Sequence, residues 1–374
     1  MCAKKKLKEI KKRLDNLSRR FIFSLMKKRL FFITLFVFCS SIFASIYDAT
    51  LAQYPKLDSD TSDSERIQRA IDALPHKVLC IGYGEYKLDK KIVIKNGASL
   101  LLHKSAKFIA TAKMDYMFEL IAVPQKNYVF DHIFDHSMFI KGGEFDANGL
   151  ADNCVRLADF KHFTISDSLF RNPKHSGLRV DKGYEINASN LYFRCTKNGL
   201  EGNSALYING GDSHYTDIIV VDYTVGFKIM RGGSCRLTRC HVWGGPIQPE
   251  KKGDVCPMLK NSIAFDIQTK AETLLRDCYA DTAMIGFNVN GNCRLLGCSY
   301  FNNYKRFKMD NPTIINHTGG GLIVADCSFL RTSPKSTLYS FKNDAKLLAW
   351  RDNMVRGFYL SDVPTPTPEG LVRQ

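Results

Sequence analysis

Short stretches of alternating apolar and polar residues recur along the chain, each closed by a small or polar residue and one or two more apolar ones. They begin at Ile165, Ile186, Ile218, Leu237, Leu274, Leu295 and Leu322. Aligned, they form a column of Ser168, Asn190, Asp222, Cys240, Cys278, Cys298 and Cys327, spaced 18 to 38 residues apart. Alternation of period two predicts strands, and self-similarity near one period predicts a solenoid whose extra residues sit in loops. A second column runs through Gly177-Leu178-Arg179-Val180, Gly199-Leu200-Glu201, Gly226-Phe227-Lys228-Ile229, Ala264-Phe265-Asp266-Ile267 and Gly286-Phe287-Asn288-Val289. Alternation sends Leu178, Phe227, Phe265 and Phe287 to one side and Arg179, Lys228, Asp266 and Asn288 to the other. Two columns in register favour a parallel β-helix over an antiparallel β-sandwich.

A helix signal precedes the repeat. Ser62 or Ser64 starts a helix running to Ala73 and stopped by Pro75, and short strands are expected at Val78–Ile81, Ile92–Ile94 and Ser99–Leu102. A solenoid needs an end piece over its first coil. The expected fold is therefore all-β, a single-stranded parallel β-helix over residues 58–357 with an N-terminal capping helix. Residues 45–57 read as a linker. Residues 358–374, with prolines at 364, 366 and 368, read as a tail.

Charge changes the picture only at the N-terminus. The chain carries a formal +16, but residues 1–44 hold 12 Lys or Arg against Glu9 and Asp15. The remainder has 41 basic and 35 acidic residues, which does not call for nucleic acid. Lys27, Lys28 and Arg29 precede an apolar run, Leu30–Phe38, that fades into small residues as an export signal does. The expected location is periplasmic, secreted or cell-surface. The rival is an uncleaved anchor, which limits membrane contact to this segment. Ten of the twelve cysteines lie beyond it, with no paired C-x-x-C spacing for zinc. Export favours disulfides, whereas the cysteine column reads as interior; their redox state stays open.

Asp60-Thr61-Ser62-Asp63, Ile67–Ile71 and Gly82–Tyr86 resemble the opening motif of the pectate-lyase-like superfamily of right-handed parallel β-helix proteins. Gly142-Gly143-Glu144-Phe145-Asp146-Ala147-Asn148-Gly149 resembles a coil of its polygalacturonase-type members. The likeness covers roughly residues 58–335. It implies a right-handed helix and a polysaccharide partner, with a homotrimer left open because the group includes trimers. The hydrolases' Asn-Thr-Asp, Asp-Asp, Gly-His-Gly and Arg-Ile-Lys motifs are not intact here.

The outward row supplies the candidate chemistry. Arg179, Glu201, Lys228 and Asp266 are the candidate catalytic residues, with Asn288 beside them. A lyase needs a base next to a carboxylate-bearing carbon and a cation to hold the developing charge. A hydrolase needs two carboxylates, for which Glu201 or Asp181 with Asp266 is the candidate pair. Tyr207, from Ala205-Leu206-Tyr207-Ile208, competes with Glu201 for its slot. His175, Asp181, Asp212 and His214 are candidate substrate-binding residues, and Trp243 offers a stacking face for a sugar ring. No cofactor is expected; Asp clusters leave calcium open, although no EF-type loop occurs. The expected function is an exported carbohydrate-active enzyme cleaving a polysaccharide, preferably an acidic one, as a lyase or glycoside hydrolase. The alternatives are a non-catalytic glycan-binding or adhesive β-helix, or a glycan epimerase.

Overall fold

Parallel pairing builds every sheet among the described residues. The computed structural model describes residues 47–122, 138–230, 233–244, 260–302, 311–331, 333–342 and 344–366. The export or anchor segment of residues 1–44 and the stretch 245–259 lie outside them. Each coil contributes a strand to a first, a second and a third sheet in turn, as in Phe163–Ser166, Leu169–Arg171 and Ser176–Tyr184. The next coil repeats them directly above, with Ile186–Ser189, Tyr192–Arg194 and Ser204–Gly211. Each of these pairings is parallel, which rules out the antiparallel sandwich. The second sheet has eleven described strands. The strand Thr313–Ala325 runs through a corner and belongs to both third and first sheets.

Because parallel strands stack in register, like residues meet like. Phe108, Phe145, Phe170 and Phe193 form one interior stack, with ring centroids 5.4, 5.4 and 4.7 Å apart. Phe227, Phe265 and Phe287 form another on the third sheet, at 5.2 and 5.3 Å. All seven are buried, and Leu178 with them. The helix Asp63–Asp72 starts at Ser62, whose hydroxyl accepts the Ser64 N–H at 3.0 Å, and it buries Ile67, Ala70 and Ile71. Among the described residues no helix is long and apolar enough to cross a membrane.

The bends differ sharply from one another. From Met138 onward, first and second sheets are joined by just two residues in every coil. The first of them is left-handed at Asp167, Asn190, Asp217, Arg239, Asp277, Asp326 and Asp352, with φ between 51° and 58°. Asn and Asp tolerate this conformation best. The second is an inward column. In it, Ser168 donates to the Gly142 and Ser166 carbonyls at 2.7 and 3.0 Å. Cys240 donates to Tyr215 and Thr238, Cys278 to Leu237 and Arg276, Cys298 to Leu275 and Leu296, and Cys327 to Leu295 and Ala325. Each side chain thus ties its own coil to an earlier one. The described cysteines are free thiols.

Two expected members of that column are displaced. Asn190 is the left-handed residue itself, and Leu191 follows it into the column. Asp222 lies beyond the second-sheet strand Ile219–Val221, so Ile218 fills the slot. The apolar run Ile218–Val221 spans the bend and conceals it. The bend from third to first sheet brings backbones together: a Cβ on Gly210 would meet the Gly183 carbonyl oxygen at 2.0 Å. Second and third sheets, by contrast, are joined by segments of very different length, from Val221–Val225 to Trp243–Ile263.

Removing the middle ring of the third-sheet stack, Phe265→Ala, is expected to lower stability by about 3–5 kcal/mol in denaturant melts. Burial pushes the Cys235 thiol up to about 12 and the Cys154 and Cys293 thiols well above their ordinary range. The folded chain therefore holds protons that the unfolded chain releases. Their contribution to stability is complete below about pH 8.5 and declines as pH rises toward the folded values. The buried thiols, Cys235 among them, should resist labelling in the native protein until it is unfolded.

Candidate functional site

Backbone register places ten residues along the outward side of the third sheet: Val93, Glu119, Arg156, Arg179, Tyr207, Lys228, Asp266, Asn288, Asn316 and Ser340. Their strand neighbours, such as Leu178, Val180, Phe227 and Ile229, point into the core. Successive positions stand about 4.8 Å apart. The row is therefore a charged and polar ribbon on a rigid wall.

One end of the ribbon is an ion-pair relay. Lys91 Nζ meets Asp115 Oδ2 at 3.1 Å and Glu119 Oε2 at 2.9 Å. Arg156 joins Glu119 at 2.7 Å to Asp181 at 2.8 Å, and Arg179 reaches the same Asp181 oxygen at 2.9 Å. Burial would raise the Asp181 pKa, but Arg179 and Arg156 outweigh it and hold the carboxyl below its ordinary value. The Arg179 guanidinium lies 4.4 Å from the centre of the Tyr207 ring. Charges here compensate one another across several coils.

The other end is an amide ladder. Asp266 Oδ1 accepts from Gln268 Nε2 at 2.6 Å and from Asn288 Nδ2 at 2.7 Å. Asn316 Nδ2 donates to Asn288 Oδ1 at 2.7 Å, and Asn290 to Gln268 at 3.0 Å. Between relay and ladder stands Lys228. Asp266 is directly across from it in the register, yet that carboxylate is turned to the amides. Among the described residues Lys228 has no ion pair or hydrogen bond.

The sequence-predicted candidates divide by sheet. Arg179, Asp181, Lys228, Asp266 and Asn288 share the third-sheet face. Glu201 does not: it is exposed in the turn before Ser204–Gly211, and Tyr207 occupies its slot. The long segment between Arg194 and Ser204 shifts the strand past Glu201. His175 sits at the third sheet's rim, its ring 4.0 Å from Asp152. Asp212 is the exposed left-handed residue at the corner from third to first sheet, and His214 points outward on the first sheet between Asn187 and Arg236. Trp243 lies on the second sheet. Five candidates therefore meet, and the others occupy separate surfaces.

Sequence reasoning passed over Glu119 and Arg156. Their setting, Phe118-Glu119-Leu120 and Val155-Arg156-Leu157, has the same apolar–polar–apolar signature as Leu178-Arg179-Val180 and could have revealed them. Among the described residues, no group of three or more His, Cys, Asp or Glu side chains is placed to hold a metal ion.

No protein-family model and no curated protein matches the chain. Solved structures do. A Geobacillus virus E2 protein, ORF18, superposes with a TM-score of 0.59 at 16% identity, covering 84% of this chain and 62% of that one. A mutant of the tailspike protein of E. coli bacteriophage HK620 gives 0.52 at 10% identity, covering 83% and 66%. The gp42 tailspike of Acinetobacter phage vb_AbaP_AS12 gives 0.51 at 10% identity, covering 83% and 63%. The chain thus spans slightly less than two thirds of each of these proteins. At such identities the likeness is one of architecture: this chain has the parallel β-helix fold that the phage proteins share.

Proposed function

We propose that the third-sheet ribbon binds an acidic polysaccharide and acts on it by removing a proton beside a sugar carboxylate. Lys228 carries this reading, because among the described residues it is a cation without a partner at the centre of a row whose other charges are satisfied. A uronate carboxylate would supply the missing partner. The Tyr207 hydroxyl stands one strand away and is the candidate proton-transfer group. The Tyr207 oxygen takes the proton and leaves an enolate that Lys228 stabilises; its collapse forms a carbon–carbon double bond and breaks the carbon–oxygen bond to the leaving sugar, and Tyr207 returns the proton to the departing glycosidic oxygen. Lys228 provides the positive charge for which calcium would otherwise be needed.

Distance argues against hydrolysis on this row. Asp181 and Asp266 are three strands apart, about 14 Å, whereas a glycosidase pair needs about 5–9.5 Å. Asp181 is also held ionised by two arginines and makes a poor proton donor. The HK620 tailspike solved with a pentasaccharide has this fold at a TM-score of 0.52, which supports an oligosaccharide on such a scaffold. The amide ladder favours a second reading, retention of a glycan without cleavage, because its groups can recognise hydroxyls but not react. Epimerisation would share the proton abstraction. The proposal includes export by residues 1–44, and a helix at Asp63–Asp72 that closes the first coil.

Incubated with acidic glycans, the protein should raise ultraviolet absorbance from unsaturated uronates together with reducing ends. Lys228→Ala and Tyr207→Phe should each cut that rate by about a hundredfold or more. Reducing ends without absorbance, or full activity in both variants, would sink the proposal. Asp181→Ala should instead act on stability. It leaves Arg179 without its carboxylate beside Arg156, which keeps Glu119, at a cost of about 2 kcal/mol in melts. Because its folded pKa is depressed, Asp181's contribution should be complete above about pH 4 and fade as pH falls further.

A further inference from the structure

The outward face of the second sheet carries chemistry of a different kind. In Tyr192–Arg194, Ile219–Val221, His241–Trp243 and Tyr279–Asp281, the central residues Phe193, Val220, Val242 and Ala280 are buried. Their neighbours face out, except Val221, which is buried. Register sets Tyr192, Ile219, His241 and Tyr279 in one row, with Trp243 and Asp281 side by side in the next. Ile219 is 42% exposed. The His241 ring lies flat against Tyr279, centroids 4.7 Å apart and planes at 12°. Its Nε2 is shut off from solvent and has no hydrogen-bond partner. The Trp243 indole has neither a ring contact nor a side-chain hydrogen bond among the described residues. The Asp281 carboxylate takes the Thr282 hydroxyl at 2.6 Å.

Charge separates this strip from the third-sheet ribbon. Among the described residues, no ion pair forms on it between Tyr192 and Asp281. Burial lowers the His241 pKa and raises that of Asp281, each only partly offset by the other's charge. Burial, with Asp281 nearby, pushes the Tyr279 phenol up to about 12. His241, Tyr279 and Asp281 are each biased toward the uncharged form, and Arg194 is the cation at the far end of the strip. An imidazole and a phenol each donate and accept hydrogen bonds, a carboxyl group accepts them, and an indole donates. That inventory suits hydroxyl groups. The flat, partly open aromatic and aliphatic surface suits the apolar face of a sugar ring.

We propose that this strip is a second glycan-binding site, on a different sheet from the Lys228 row, in which an uncharged pyranose stacks on Trp243 and places its hydroxyls at Asp281 and His241. It stands independently of the chemistry assigned to the third sheet. An array of neutral and acidic oligosaccharides, probed with the full chain, tests it. Neutral glycans should be retained by the full chain and by Lys228→Ala. Retention should weaken about tenfold in Trp243→Ala and Asp281→Ala and largely survive in Trp243→Phe. Melting curves of these variants should match the full chain's, since the side chains lie outside the core. The protein has two tryptophans, so Trp350→Phe leaves Trp243 as the only indole reporter. Its emission should shift on adding the retained neutral glycans. Retention of no neutral glycan, undiminished retention by Trp243→Ala, or unchanged Trp243 emission at saturation would each overturn the proposal.

Discussion

Backbone hydrogen bonding between consecutive coils, in parallel and in register over most of each strand, is the constraint on which this protein depends. It gives every side chain the same neighbours one coil up and one coil down. An apolar choice repeated at one position becomes a column of stacked rings, as from Phe108 to Phe193. A polar choice becomes a line of side chains at a fixed pitch, open to an extended ligand. The same rule makes the bends demanding, because a buried hydroxyl or thiol there must bond a carbonyl in every coil. Ser168 and the cysteines from Cys240 to Cys327 meet that demand with one geometry.

The third sheet was the most legible part of the chain. Its strands carry a small residue, then an apolar, a polar and a second apolar one, and that signature separates inside from outside directly. The bend between first and second sheets was legible where cysteine filled the column and illegible where Leu191 and Ile218 did. There the apolar run crosses the corner, and the left-handed residue before it is the sole local sign. Glu201 failed for a related reason: periodicity cannot count residues through a loop of unknown length. The relay from Lys91 to Arg179 was hidden as well, since its partners come from separate coils and only the stacking joins them.

Placement on three faces also explains why nearness in sequence misled. His214 and Trp243 belong to consecutive coils, yet one faces out from the first sheet and the other from the second. A ligand on one wall does not touch the other. The two polar walls differ in kind. The third-sheet wall balances charge against charge and leaves one ammonium over, whereas the second-sheet wall has aromatic faces and groups biased toward neutrality. Two such surfaces on one rigid rod could engage separate parts of a branched polymer at once.

The unequal bends have an evolutionary corollary. Where first and second sheets join, two residues must suffice, and losing one would turn every side chain of the following strand to the opposite face. Where second and third sheets join, chain of almost any length is accommodated, and that seam borders the Lys228 wall. New recognition segments can therefore be spliced in beside the ribbon while the rod keeps its pitch. Relatives of this protein should diverge along that one seam and stay uniform along the other.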